Sequence, residues 1–275
     1  MDLKVFRHLW GVEDSLKDAA HRFTTLGYQG LEVHVPEGGD INELKNVIRD
    51  NKLELIVLLT TPSDVFSVRE HLISFRQQLQ NAASLEPTLI NFHAGVDAWS
   101  EAQQGEFYGD ALEEIKRLGL RVSFETHRGR PTYQPWNTDR LVSEFPTIQL
   151  TLDLSHWVVV CERIINDQLE LIKRVADVCV HVHARVGHSE GAQVPDPRSV
   201  RYQAELLAHE RWWRIIWESQ KTRGFTTTTL TPEFGPDPYL QTDLNTGQPV
   251  ANLVEICEWM TTRQKEQFAI WSTTV

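Results

Sequence analysis

Short apolar stretches alternate along the chain with longer polar or amphipathic ones. Strand-like segments rich in Val, Ile, Leu, Phe or Thr fall at 3–9, 30–35, 53–60, 88–95, 121–127, 148–156, 178–186 and 225–234. Most follow a turn signal such as "LGYQG", "LGLR" or "TRGF". The stretches between them have helical length. "SLKDAAHRFTTLG" opens on Ser15 as an N-cap and closes on Gly27. The last, 250–271, sets Val250, Leu253, Val254, Cys257 and Met260 at helical spacing. Eight strand–helix units in 275 residues predict an α/β fold, a (β/α)8 TIM barrel in one domain spanning 1–275. A doubly wound open sheet is the rival, but no G-x-G-x-x-G or Walker-type loop follows any strand. No linker or repeat divides the chain. The long irregular stretches 187–201 and 233–249 read as functional loops, and the first is expected to close over a pocket.

Alternation within the strands points to a site. Val122, Phe124 and Thr126 share one face, and Ser123, Glu125 and His127 the other. Leu150, Leu152 and Leu154 oppose Thr151 and Asp153; Val178, Val180 and Val182 oppose His181, His183 and Arg185. Thr229, Thr231 and Glu233 share a face, Glu32 sits on that of His34, and Asn91 on that of His93. In a barrel the polar residue near the C-terminal end of each strand emerges at the mouth, where active sites lie. Glu125, Asp153, His183 and Glu233 should therefore converge there. Three dehydrated carboxylates cannot stay ionised together without a cation. The expected ligand set is Glu125, Asp153, His183 and Glu233. Its oxygen-rich character points to Mn2+ or Mg2+, with Co2+ or Zn2+ as alternatives. His183 is preferred over His181 because it lies nearer the strand end.

Composition excludes several partners. At 41% hydrophobic and 24% charged the chain is an ordinary globular protein, and its formal net charge of −11 disfavours nucleic acid. No apolar run is long enough to span a bilayer, and "MDLKVFRHLW" has no signal-peptide core. Three scattered cysteines, Cys161, Cys179 and Cys257, fit reduced thiols and a cytoplasmic location. Against this acidic background Arg128 and Arg130 put positive charge beside Glu125, which suggests an anionic or strongly polar substrate. His93, His34 and His188 are candidate substrate contacts, and Trp10 or Phe6 can stack on a sugar face. Trp213, Ile216 and Trp217 form a helix stripe read as core, or as the interface of a homo-oligomer.

The chain resembles the xylose isomerase-like TIM-barrel superfamily of sugar isomerases and epimerases. In its ketose 3-epimerase branch Glu, Asp, His and Glu ligands come from the fifth to eighth strands. They match the Glu of "FETH" (Glu125), the Asp of "LDLSH" (Asp153), the second His of "HVHAR" (His183) and the Glu of "TPEFG" (Glu233). The resemblance implies that Glu125 and Glu233 exchange protons on opposite faces of the substrate, and that His156, three beyond Asp153, touches it. "ETH" also resembles the 3-dehydroshikimate dehydratases, which implies an acid/base role for His127. Arg185 departs from the epimerases, whose substrate-binding Arg follows the ligand His at a longer interval. Three functions follow. The first is a metal-dependent isomerase or epimerase acting on a sugar or polyhydroxy ketone through an enediolate, with Glu125, Glu233, His127, His156 and Arg185 as catalytic candidates. The second is a lyase or dehydratase on a keto-sugar or dehydroshikimate-like substrate. The third is a barrel that binds metal and ligand without turnover.

Overall fold

A computed structural model describes residues 1–35 and 41–274. Its elements run β1 (Asp2–His8), α1 (Leu16–Thr25), β2 (Gly30–His34), α2 (Ile41–Asp50), β3 (Glu54–Thr60), α3 (Val68–Ala83), β4 (Leu89–His93) and α4 (Glu101–Leu118). They continue β5 (Val122–Glu125), α5 (Pro135–Glu144), β6 (Leu150–Leu152), α6 (Leu154–Val160), α7 (Leu169–Ala176), β7 (Cys179–His183), α8 (Gln203–Thr222), β8 (Thr227–Thr231) and α9 (Leu253–Thr274). The strands pair in parallel, in chain order, and β8 closes on β1, so the sheet is a barrel without edges. Serine side chains cap the helices at Ser15, Ser67 and Ser100, the last in a reciprocal capping box with Gln103.

The outward strand faces and the helices form one large core. Inside the barrel a small apolar group, Phe6, Ile56, Leu89 and Val180, forms the floor. Phe6 lies across Gly30, where an added Cβ would sit 2.2 Å from the ring. Phe6 is thus fully buried in the floor and meets no substrate. Above this floor the inward residues turn polar, and the site begins.

The sequence expectations need correction in several places. The segment 148–156 is not one strand. The Asp153 carboxylate accepts a hydrogen bond from the Ser155 amide, which starts α6 at Leu154 and puts His156 on a helix. Alternation breaks in β7, where the pairing with β6 shifts between Leu150 and Thr151. Val180 therefore joins the floor while Val182 packs with the main core. Val250 precedes α9 and is exposed. Trp213, Ile216 and Trp217 are core, as the stripe implied. Arg130 is buried and donates to the carbonyls of Thr61 (3.1 Å) and Gly95 (2.7 Å), clasping the loops after β3, β4 and β5. It adds no open charge to the mouth.

The stretch 187–201 is a strap rather than a free lid. Gly187, Ala192, Gln193, Val194 and Pro197 are buried. The Gln193 amide donates to the Gly235 carbonyl (3.0 Å) and accepts from the Gly235 amide (2.7 Å), tying the strap to the chain after β8. The Gly187 amide donates to His209 Nε2 on α8 (3.3 Å), while His209 Nδ1 bonds the Glu205 carbonyl (2.8 Å).

Burial lowers His209 from 6.5 to about 4, so the folded imidazole is neutral and accepts from Gly187. The unfolded chain takes up a proton through 6.5. The contribution of His209 is therefore full above pH 6.5 and declines as pH falls towards about 4. At pH 5 the loss is about 2 kcal/mol for this one group. We expect the drop in urea-unfolding free energy from pH 7 to pH 5 to shrink by about that amount in His209→Asn. An unchanged drop would show that His209 is not held neutral.

Candidate metal centre

The upper barrel interior is a layer of buried polar side chains. Glu125 ends β5, Asp153 caps α6 just past β6, His183 ends β7, and Glu233 lies two residues past β8. Exposures of 1% for Glu125, 0% for Asp153 and His183, and 5% for Glu233 remove all four from bulk water. One ligand atom from each lies within 4.8 Å of all the others, so the quartet can hold a metal ion. The expected set converges.

Three members, His183, Glu125 and Asp153, are oriented from behind. His183 Nε2 donates to Glu32 Oε1 (2.9 Å), a carboxylate held in turn by the Thr231 hydroxyl (2.6 Å). That bond turns Nδ1 toward the carboxylates, 3.3 Å from Glu125 Oε2 and 3.1 Å from Glu233 Oε2. Asn91 Nδ2 (2.7 Å) and His93 Nε2 (2.8 Å) both donate to Glu125 Oε2. Asp153 Oδ1 accepts from the Ser155 amide (3.0 Å) and hydroxyl (2.5 Å), and Oδ2 from Arg185 Nη2 (2.5 Å). His181 bonds Thr229 (2.8 Å) and Thr231 (3.0 Å) through its two nitrogens and supports Glu32 from below, leaving the ligand position to His183.

Three atoms of the quartet are buried without a hydrogen-bond partner: Glu125 Oε1, His183 Nδ1 and Glu233 Oε2. They belong to three of the four candidate ligands, and carboxylate oxygens plus an imidazole nitrogen are the donors a hard dication takes. Among the described residues the quartet thus fits a metal on its own chemistry.

The electrostatics follow the geometry. Burial works to raise the Glu125 carboxyl, but His183 and His93 outweigh it and hold it well below the usual range. Burial and the two glutamates push Asp153 up to about 6 against the pull of Arg185. Burial works to lower His183, yet Glu125, Glu233 and Glu32 raise it well above 6.5.

A cavity of about 300 Å3 opens over the quartet, lined by Trp10, His34, Leu58, His93, His127, Arg185, Glu233 and Tyr239. Trp10 lies against Gly235, where a Cβ would clash with the indole at 2.1 Å, and packs edge-on to Tyr239. His93, His127 and His156 stack in series with centroids 4.4 and 4.0 Å apart. His127 Nδ1 donates to the Arg128 carbonyl (2.6 Å), which leaves the Nε2 lone pair free. Burial holds His127 well below 6.5, hence neutral.

The structure brings His34, His93, His127, Arg185 and Trp10 to this cavity and sets Arg128 beside it, over the Tyr239 ring at 4.8 Å. His156 is fully buried beneath them, its Nε2 accepting from Arg185 Nη2 (2.7 Å). His188 lies in the strap against Tyr202, outside the cavity lining. Sequence reasoning gave no role to Glu32, although a carboxylate amid the apolar residues of β2 was a signal for it. Tyr239 carried no signal: it lies in an irregular stretch with no period.

The profile of the family described as "Xylose isomerase-like TIM barrel" matches residues 20–196. No curated protein sequence matches the chain. Among solved structures, an L-ribulose 3-epimerase aligns over 100% of this chain and 97% of its own, with TM-score 0.70 and 14% identity. A probable 3-DHS dehydratase from Bacillus anthracis aligns over 95% and 98%, with TM-score 0.61 and 14% identity. A xylose isomerase-like TIM barrel protein from Mycobacterium smegmatis in complex with magnesium aligns over 96% and 97%, with TM-score 0.61 and 14% identity. Among the described residues no helix is long and apolar enough to cross a membrane. The chain belongs to the xylose isomerase-like TIM-barrel family.

Proposed function

We propose that the protein is a divalent-metal-dependent isomerase or epimerase that moves a proton next to the carbonyl of a sugar or related polyhydroxy ketone. The observation that carries this reading is the quartet itself: one ligand atom from each member lies within 4.8 Å of the others, Glu125, His183 and Glu233 each keep a buried atom without a hydrogen-bond partner, and Glu233 lines a cavity of about 300 Å3. Glu125, Asp153, His183 and Glu233 hold the ion, Mn2+ or Mg2+ by donor type. When bound, it supplies Lewis-acid polarisation of the carbonyl.

The chain's own residues do the rest. Glu233 lines the cavity, and Glu125 is buried at the end of β5 beside the lining residue His93, which donates to it. One glutamate takes the α-proton from one face of the substrate, and the other returns a proton to the opposite face of the enediolate. Asn91 and His93 keep Glu125 Oε2 occupied, so proton transfer falls to Oε1. Arg185 lines the cavity and donates to substrate oxygens, while Trp10 and Leu58 form an apolar wall that excludes water.

A second reading rests on His127. Its neutral ring and free Nε2 make it a one-sided base, and removal of a proton on one side followed by loss of hydroxide is elimination. The L-ribulose 3-epimerase and the 3-DHS dehydratase share the fold at equal identity and do not separate the two.

With Mn2+ supplied, NMR in D2O across ketoses, keto-inositols and dehydroshikimate should show deuterium entering an intact substrate at the carbon next to the carbonyl. Glu233→Gln should slow that exchange at least about 100-fold, and His127→Asn should leave epimerisation within about tenfold. Loss of the substrate with new enone or aromatic signals, abolished in His127→Asn, would replace epimerisation by elimination. Separately, Glu32→Gln should weaken Mn2+ binding about 10- to 100-fold in calorimetry, because the Glu32 carboxylate orients His183. An unaltered affinity would remove Glu32 from the centre.

A further inference from the structure

Arg185 is the departure that asks for an explanation. It is fully buried, its Nη2 is spent on Asp153 and His156, and its Nε donates to Ser155 Oγ (3.2 Å). It is an internal cation whose Nη2 lies 2.5 Å from Asp153 Oδ2 and 3.4 Å from Glu233 Oε2, two of the three proposed ligand carboxylates. Among the described residues no hydrogen bond takes up the other Nη of Arg185, which belongs to a residue lining the cavity.

Arg128 lies at the same cavity. Its guanidinium carbon sits 4.8 Å from the centroid of the Tyr239 ring, and that of Arg185 is also 4.8 Å from it. The two cations are therefore no further apart than twice that distance and share one aromatic wall. Arg128 is exposed, and among the described residues no carboxylate pairs with it. Among the described residues the other ionisable groups of the lining are His34, His93, His127 and Tyr239, and its one carboxylate is the proposed ligand Glu233. Burial keeps His34 and His127 below 6.5. Among the described residues, a substrate in this pocket meets two guanidinium groups and no negative charge outside the proposed ligand quartet.

We infer that the substrate is an anion: a polyhydroxy or keto compound bearing a carboxylate, or an equally compact single negative charge, at the end away from the metal. Arg128 receives this group at the mouth beside Tyr239, and the open Nη of Arg185 reaches the substrate from below. The inference rests on the proposed function and names its substrate class. Neutral ketoses would leave Arg128 without a partner, whereas an acid pairs with it through a charge-assisted, bidentate contact.

Calorimetry of the Mn2+-loaded protein against matched probes tests this: the four- to six-carbon polyols and the corresponding onic acids. At least one acid should bind at least tenfold tighter than its polyol. Arg128→Gln should cut that ratio below threefold while Mn2+ stoichiometry stays unchanged. Equal binding of acid and polyol, failure of every acid to bind, or a preference that survives Arg128→Gln would overturn the inference, the last because the metal alone would then account for it. Failure of the protein to take up Mn2+ would sink the proposed function instead, so the two are distinguishable.

Discussion

Buried carboxylates repel one another, and the upper half of this barrel is built around that repulsion. Glu32, Glu125, Asp153 and Glu233 are all withdrawn from water within one layer. Two like charges 4.8 Å apart repel by about 3 kcal/mol at an effective dielectric near 20. The three ligand carboxylates form three such pairs, roughly 10 kcal/mol together, as much as the whole stability margin of many domains. Arg185 offsets part of this and His183 another part. The remainder is what a dication removes. A chain that keeps such a cluster for packing alone would do better with apolar side chains of similar volume.

The surrounding structure works to keep the cluster in place. The ends of β5 to β8 contribute one member each, and supporting groups aim three of them: Glu32, reaching across the barrel from β2, behind His183, Asn91 and His93 behind Glu125, Ser155 and Arg185 behind Asp153. Further out, Arg130 clasps three loops through backbone carbonyls, and Gln193 ties the strap after β7 to the chain after β8. The mouth is therefore held by buried hydrogen bonds, which suits a site whose geometry must not relax when charge develops on a substrate.

Much of this was legible in the sequence because it is periodic. Strand alternation placed Glu125, His183 and Glu233 on inward faces, and eight strand–helix units specified the barrel. What could not be read lay where the period breaks. A bulge in β7 sends Val180 to the floor, and the self-capping of Asp153 converts the end of a predicted strand into α6. Arg130 and Arg128 are two residues apart and chemically identical, yet one bonds buried carbonyls and the other stands open beside Tyr239. Only the tertiary approach of loops from β3 and β4 separates them. Tyr239 reaches the cavity through an irregular stretch, which no pattern of hydrophobic spacing describes.

On the proposed function the chemistry is proton transfer next to a carbonyl, and the histidine series beside Glu125 bears on whether epimerisation or elimination follows. The central claim is that one dication resolves the carboxylate crowding. Anomalous diffraction from crystals grown with Mn2+ tests it most directly. One peak about 2.1 Å from oxygens of Glu125, Asp153 and Glu233 and from His183 Nδ1 is the predicted result. A map without a peak there, the four side chains drawn together by protons and Arg185 alone, would contradict it.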